Sequence, residues 1–152
     1  MLDIITTDGP LPKESLYRLY REGCPRVERA GKNLRQAVNR AVYSLERAGL
    51  VVSRDEGKRR HPSEVVVKLA LHKWVESRSP GSRRLEDVPL SELGSSMYDA
   101  SHGAQPGSDD TRTSLYRDVA GRYGVRRLMP QVIQRLELAE RIAYSSGTSE
   151  RG

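Results

Sequence analysis

Several residue types are scarce in this chain of 152 residues. Phenylalanine is absent, and one Trp and seven Tyr are the only aromatic residues. The hydrophobic core must therefore be built mostly from aliphatic side chains. Because Cys24 is the only cysteine, an intramolecular disulfide framework is excluded, and a reducing cytoplasmic setting is favoured.

Long hydrophobic runs are also missing. Hydrophobic residues make up 36% of the chain, and no apolar run approaches the roughly 18 residues that a membrane-spanning helix needs. The N-terminal residues MLDIITTDGP lack the basic start and apolar centre of a signal peptide. We therefore expect a soluble cytoplasmic protein, nucleoid-associated if it binds DNA, with no membrane partner.

Positive charge is unevenly distributed along the chain. The formal net charge is +6, with 26 Lys and Arg against 20 Asp and Glu. Residues 1–78 contain 16 basic and 10 acidic residues, whereas residues 79–152 contain 10 of each. A basic half favours a polyanionic partner for that half, although solubility alone would also explain a modest excess of charge.

The stretch 31–62 has the strongest pattern in the chain. Apolar residues recur at helical spacing: Leu34, Ala37 or Val38, Ala41, Leu45 and Ala48. This periodicity predicts a helix from Lys32 to Ala48, which Gly49 ends because a glycine adopts the left-handed cap at little cost. A strand follows at Leu50–Val52, and a second strand is predicted at Val65–His72 after a turn. Helix, strand, turn and strand is the order of a recognition helix followed by a wing.

The polar residues of this stretch are of types that suit DNA. Arg and Lys neutralise phosphates or pair with guanine, and Asn and Gln pair with adenine. An ordinary solvated helix face would also be charged, but this face carries only one acidic residue after its first turn, Glu46. The candidate DNA-binding residues are Lys32, Asn33, Arg35, Gln36, Asn39, Arg40, Arg54, Lys58, Arg59, Arg60 and His61.

The rest of the chain indicates a mainly α fold with a small β wing. A shorter helix at Lys13–Glu22 and a turn at Val27–Gly31 precede the long helix, which makes a helix-turn-helix. The predicted organisation is a winged helix-turn-helix over 1–78, a linker over 79–88, a second helix-turn-helix-like unit over 89–144 and a disordered tail over 145–152. In the second unit, helices are predicted to begin at Pro89, Thr111 and Pro130. Trp74 is predicted to pack on the winged helix-turn-helix.

A short internal repeat links the two halves. Ser15-Leu16-Tyr17-Arg18 recurs as Ser114-Leu115-Tyr116-Arg117, and an apolar stripe aligns behind both copies. Four matching residues alone are weak evidence of a repeat, but the aligned apolar stripe favours a duplication. The second copy lacks a wing, and its last helix carries both signs of charge. We therefore interpret the first copy as the DNA reader and the second, degenerate copy as a packing or dimerising partner.

The chain resembles a known family in DGPLPKESLYRLYREG and RAGKNLRQAVNRAVYSLERAGLVV. These stretches are similar to the winged-helix repeat near the C-terminal end of large bacterial superfamily-one helicase-like proteins, which often carry a restriction-endonuclease-like domain. DVPLSEL and SLYRDVAGRYGVRRLMPQVIQRLELA resemble the second unit of that region, so the resemblance covers most of residues 3–143. The GxxxxGK[ST] loop and the acidic–Lys nuclease constellation are missing. The resemblance implies a DNA-binding or coupling module.

Catalytic and metal-binding patterns are not found in the sequence. His61, His72 and His102 are scattered, and they lack the closely spaced ligand pairs of a structural zinc site. Asp109-Asp110 is better interpreted as charge at a helix N-terminus than as a metal pair. Cys24 has no base or oxyanion donor predicted beside it, so it is not proposed as a nucleophile. We expect no enzyme activity, no cofactor and no metal.

Two functions of different classes remain. The first is a DNA-binding winged-helix protein, either a regulator or the targeting module of a helicase or nuclease system, with duplex DNA as its partner. The second is a helical adaptor that binds another protein without touching nucleic acid, since fold alone does not decide function. A homodimer through the last helix, or a larger helicase or nuclease, is the expected protein partner.

Overall fold

A computed structural model describes residues 1–24, 31–72, 74 and 78–145 of the chain. The described residues form six α-helices and one small three-stranded antiparallel sheet, so the expected mainly α class is confirmed. The chain divides into two compact units, Met1–Trp74 and Val75–Gly152. Most of the turn predicted at Val27–Gly31, and the tail after Ser145, lie outside the described residues.

The first unit contains all three strands. Its elements in chain order are α1 (Leu2–Asp8), β1 (Leu11–Pro12), α2 (Lys13–Gly23), α3 (Lys32–Arg47), β2 (Val51–Asp55) and β3 (Val65–Leu69). The strand order in the sheet is β1-β3-β2, with both pairs antiparallel. Asp55 lies opposite Val65 at the end of the β2–β3 ladder, so the residues between them form a turn that projects from the sheet.

The buried row of α3 differs from the predicted stripe. Leu34, Val38 and Val42 are buried, whereas Ala37 and Ala48 are exposed. Residues four apart lie one above the other on a helix, so these three form a single ridge against the core. The prediction left Ala37 and Val38 as alternatives, of which the structure selects Val38; it was wrong about Ala48 and missed Val42. Gly49 has a φ of +72°, which confirms the predicted left-handed end of this helix.

The strand β3 is buried on both faces. Val67 lies in the hydrophobic core, and Val66 and Lys68 on the opposite face are also buried. Trp74 lies against this second face, with its ring centroid 4.6 Å from Lys68 Nζ. The strand predicted at Val65–His72 is three residues too long, because β3 ends at Leu69 and Leu71 is 97% exposed.

The core of the first unit joins all six elements. Its buried hydrophobic residues are Ile5, Leu11, Leu16, Tyr17, Val38, Val42, Val51 and Val67. Each large aliphatic side chain that is fully buried contributes about 1.5–3 kcal/mol relative to an exposed one. This mostly aliphatic core, which the absence of Phe predicts, fixes α3 on the sheet and leaves the opposite face of the helix exposed.

The second unit is a helical bundle. A 3₁₀ turn at Leu85–Asp87 precedes α4 (Leu90–Ala100), α5 (Asp109–Arg122) and α6 (Pro130–Ser145). A Cβ built on Gly94 of α4 would lie 2.9 Å from the carbonyl oxygen of Ala139 in α6. The missing side chain therefore allows these two helices to approach closely.

The segment 79–88, predicted to be a linker, is built into the second unit. Leu85 and Val88 are buried, and Arg135 of α6 donates hydrogen bonds to both of their carbonyl oxygens. Arg83 donates to both carboxylate oxygens of Glu92, which is completely buried, at 3.1 and 2.6 Å. Composition suggested a flexible linker here, but Leu85, Val88 and Arg83 have partners on α4 and α6, so the prediction is wrong for these residues.

The start of α5 confirms the interpretation of the Asp109-Asp110 pair. Both aspartates lie in the first turn, where negative charge stabilises the helix N-terminus. Ser108 caps the helix by accepting a hydrogen bond from the backbone N–H of Thr111 at 3.3 Å. The helix therefore begins two residues earlier than predicted.

Candidate nucleic-acid interface

All of the residues predicted to contact DNA are exposed. Six of them lie on α3, Arg54 lies on β2, and the remaining four lie in the turn between β2 and β3. The structure therefore brings ten of them to two surfaces of the first unit, the outer face of α3 and the β2–β3 turn, which we call the wing turn (Glu56–Glu64). Their side-chain partners separate residues that are available for binding from residues that are occupied.

One continuous strip runs along the outer face of α3, opposite the buried ridge. Helical spacing places Lys32, Gln36, Arg40, Tyr43 and Arg47 on it, and we call these five residues the α3 strip. The strip is roughly 22 Å long at a rise of about 1.5 Å per residue. Tyr43 is 60% exposed, and the Cζ atom of Arg47 lies 6.0 Å from the centroid of its ring. The sequence prediction missed these last two residues, although both continue the spacing of Gln36 and Arg40.

Arg35 and Asn39 flank the strip and are engaged with α2. Asn39 Oδ1 accepts a hydrogen bond from the Tyr17 hydroxyl at 2.9 Å. Arg35 lies over the Tyr17 ring, with Cζ 5.5 Å from the centroid, and its Nη2 is 3.4 Å from Glu14 Oε1. Burial raises the pKa of Tyr17, while the hydrogen bond to Asn39 acts in the opposite direction. Both residues therefore help to hold α3 on α2.

Arg54 is likewise held by its own unit. Its Cζ atom lies 4.1 Å from the centroid of the Trp74 ring, and its Nη2 is 3.1 Å from Glu56 Oε1. Cation–π contacts of this kind contribute about 0.5–1 kcal/mol at exposed sites. The guanidinium group of Arg54 therefore has two partners within the first unit.

The wing turn directs Lys58 and Arg60 outward. Both have positive φ values, 63° and 55°, which are uncommon for residues other than glycine. The backbone N–H of Arg60 donates to Asp55 Oδ2 at 2.7 Å. Both basic side chains are exposed, and within the described residues neither is in an ion pair.

The other two basic residues of the wing turn have neighbours. Arg59 Nε lies 3.7 Å from Oε1 of Glu64, whose carboxylate is almost completely buried. His61 Nδ1 is 2.7 Å from Ser63 Oγ. Arg59 and His61 are therefore partly committed to the turn itself, and Lys58 and Arg60 are the better candidates for phosphate contacts.

Five available cations define the candidate interface. They are Lys32, Arg40, Arg47, Lys58 and Arg60. In the described part of the chain, none of them has a carboxylate within 4.0 Å. Uncompensated cations on a convex surface attract a polyanion, and each phosphate contact releases counterions from DNA.

The second unit contains a polar cleft of about 550 Å³ between α5 and α6. Glu140 accepts hydrogen bonds there from the Tyr116 hydroxyl and from Arg112 Nε, the latter at 3.3 Å. Burial and the hydrogen bond to Glu140 raise the pKa of Tyr116, and the same carboxylate raises the pKa of Arg112. The carboxylate is thus satisfied by two partners of its own unit, which indicates a structural network.

A search of the described residues finds no group of three or more His, Cys, Asp and Glu side chains placed to hold a metal ion. In the same part of the chain, every helix is too short or too polar to cross a bilayer.

Comparisons with known proteins gave no match to a family model, to a curated protein or to a solved structure.

Proposed function

We propose that the first unit is a winged helix-turn-helix that binds duplex DNA, with α3 as the recognition helix and the wing turn as the second contact. The observation that carries this proposal is the set of five available cations, which occur on these two surfaces and have no carboxylate partner among the described residues. Phosphate contacts supply most of the affinity for non-specific DNA.

The order of elements supports this assignment. Helix, strand, helix, helix, strand and strand, with β3 in the centre of the sheet, is the order expected for a helix-turn-helix followed by a wing. The outer face of α3 carries Gln36, a type that pairs with adenine edges in a major groove about 12 Å wide, between the available cations Lys32 and Arg40. The resemblance to the winged-helix region of helicase-like proteins implies the same role.

The shape of the surface favours duplex over single-stranded DNA. Proteins that bind single strands combine a basic groove with several aromatic side chains on which bases stack. On the outer face of α3 only Tyr43 is aromatic, and a helix presents a convex surface. Such a surface fits a major groove, where the strip is long enough to reach phosphates on both strands.

The test is a fluorescence anisotropy titration of a labelled random duplex at several salt concentrations. We expect binding that weakens steeply with salt, with a logarithmic slope of about −4 to −5 for roughly five phosphate contacts at about 0.9 each. A labelled single strand of the same length is the control, and we expect it to bind more weakly. Absence of duplex binding at low salt would contradict the proposal.

DNA binding of this kind would serve either a regulator or the targeting module of a helicase or nuclease system. In the second case the catalytic domains would belong to a larger partner. We propose no enzymatic step, cofactor or metal for this chain.

An adaptor that binds a protein is the alternative function. The observation that favours it is a group of exposed apolar side chains near the edge strand β2: Leu50, Val52 and Leu71, which are 47%, 38% and 97% exposed. Exposed apolar patches mark protein contacts when they are contiguous. If the duplex titration fails, replacement of Leu50 and Leu71 by Ser should abolish binding to the protein partner, which would be identified by co-purification.

A further inference from the structure

We propose that Asp55 and Gly57 are positioning residues, which hold the wing turn in the single conformation that presents Lys58 and Arg60 to DNA phosphates. This inference rests on the proposed function. It assigns no DNA contact to either residue. Asp55 has a negative charge and Gly57 has no side chain, so neither was a candidate on chemical grounds.

Asp55 holds the turn through a single short hydrogen bond. Its Oδ2 atom accepts from the backbone N–H of Arg60 at 2.7 Å, across five residues of chain. Arg60 has a φ of 55°, in the left-handed region that a side chain with a Cβ disfavours. The carboxylate acceptor therefore stabilises a conformation that the backbone would otherwise leave, and it determines the direction of the Arg60 side chain.

Gly57 allows the opposite side of the turn to close. A Cβ built on Gly57 would lie 1.7 Å from Glu64 Oε2 and 2.8 Å from Glu64 Cγ. The Glu64 residue is only 4% exposed, so its side chain has little room to move aside. Any larger residue at position 57 would displace Glu64, and with it the Arg59 group that lies 3.7 Å from Glu64 Oε1.

Backbone hydrogen bonds close the base of the same turn. The N–H of Glu56 donates to the carbonyl oxygen of Glu64 at 3.0 Å. The N–H of Val65 donates to the carbonyl oxygen of His61 at 3.1 Å. On the α2 side, the N–H of Glu14 donates to the carbonyl oxygen of Pro62 at 3.0 Å. With the base fixed in this way, the conformation of the tip depends on Asp55 and Gly57.

Because Asp55 is negatively charged, the proposal and net charge alone predict opposite changes in DNA affinity when Asp55 is replaced. Removal of a carboxylate beside a basic surface raises the net charge by one, which by itself should tighten binding to a polyanion. The proposal predicts the opposite for Asp55→Ala, because the loss of the acceptor releases the turn. Asp55→Asn removes the same charge but keeps an oxygen that can accept from the Arg60 N–H.

The experiment compares Asp55→Ala, Asp55→Asn and Gly57→Ala in the full chain by duplex anisotropy at several salt concentrations. We expect Asp55→Ala and Gly57→Ala to bind roughly fivefold to tenfold more weakly, with the salt slope reduced by about one to two contacts. Asp55→Asn should bind at least as tightly as the unmodified protein. Gly107→Ala is the matched control, since nothing lies within 4 Å of a Cβ at that exposed glycine.

Amide hydrogen exchange of Arg60 gives a second readout that needs no DNA. Its protection should be lost in Asp55→Ala and retained in Asp55→Asn, with circular dichroism melting used to show that each variant is folded. Two results for Asp55→Ala would each overturn the inference: unchanged protection of the Arg60 amide, or duplex binding as tight as that of the unmodified protein. If the unmodified protein does not bind duplex DNA while the exchange result holds, the proposed function fails and the positioning of the turn stands.

Discussion

Arg35 and Arg40 show at the scale of single residues why exposure alone does not identify a contact residue. Both are exposed arginines on α3, and the sequence predicts the same role for both. Arg35 lies over the Tyr17 ring and near Glu14, whereas Arg40 has no carboxylate partner among the described residues. The exposed face could be predicted from helical spacing, but the contact with Tyr17 joins residues that are distant in sequence, and no local pattern indicates it.

The backbone conformation of Lys58 is unfavourable for a residue with a side chain and therefore destabilises the folded protein. Its φ of 63° lies in the left-handed region, which costs a residue with a Cβ about 1 kcal/mol relative to glycine. We expect Lys58→Gly to raise the free energy of unfolding by about 1 kcal/mol, because glycine adopts this region without the steric penalty. The same variant should weaken duplex binding, because one phosphate contact is lost. Urea denaturation and duplex anisotropy measure the two effects.

Lys58→Ala is the control for this prediction. It removes the same charge but keeps the Cβ, so it should weaken binding as Lys58→Gly does without a gain in stability. Equal stability of the two variants would show that this backbone conformation is not strained in solution.

The order and type of the helices and strands follow from sequence patterns more reliably than the path of the chain between them. Hydrophobic spacing predicts α2 and α3 nearly to both ends and places the start of α6 at Pro130, since each has a repeating apolar face. The segment 79–88 is short and rich in polar residues, so its composition suggests a linker. Its buried position depends on Glu92 and Arg135, which lie on other elements.

The burial of both faces of β3 also depends on a residue outside the strand. Strand geometry places Val67 on one face and Val66 and Lys68 on the other, yet all three are buried. The Trp74 ring lies beside Lys68, and this contact requires the chain to return over the sheet after β3. A periodicity of two residues carries no information about such a return.

The packing of α4 on α6 depends on Gly94. We expect Gly94→Ala to lower the free energy of unfolding of the second unit by about 1–2 kcal/mol. The new Cβ would lie 2.9 Å from the Ala139 carbonyl oxygen, and overpacking of about 1–3 kcal/mol outweighs the gain of about 1 kcal/mol in helix propensity. Thermal denaturation followed by circular dichroism measures the change.

Gly121→Ala provides the matched control in α5. Gly121 is exposed and nothing lies within 4 Å of a Cβ built at this position, so only the propensity gain of up to about 1 kcal/mol remains. Opposite signs for the two substitutions would establish the close approach of α4 and α6. A gain in stability from Gly94→Ala would show that these helices are further apart.

At the scale of the whole molecule, the two units differ in charge as well as in architecture. Met1–Trp74 contains 15 basic and 9 acidic residues, and Val75–Gly152 contains 11 of each. Each unit has a tyrosine of the predicted repeat, Tyr17 or Tyr116, whose hydroxyl donates to a polar side chain of a later helix, Asn39 or Glu140. These contacts are not at aligned positions, so the internal repeat stays a prediction, and the charge difference is the firmer guide to function.

The charge difference leads to a prediction that separates specific contacts from net charge. Lys32→Ala with Arg40→Ala removes two positive charges from the α3 strip, and Arg126→Ala with Arg127→Ala removes two from exposed positions of the second unit. We expect the first pair to weaken duplex binding on the order of tenfold and to reduce the salt slope by about two contacts, because both residues face DNA in the proposal. The second pair should have a much smaller effect, since the second unit has no excess positive charge.

Anisotropy titrations of both pairs at matched salt concentrations provide the measurement, and they also decide the role of the second unit. Because both pairs change the net charge equally, a difference between them can arise only from position. Equal losses would mean that DNA responds to the total charge of the chain and that α3 has no particular role. A larger loss from the pair in the second unit would reverse the assignment and make that unit the DNA reader.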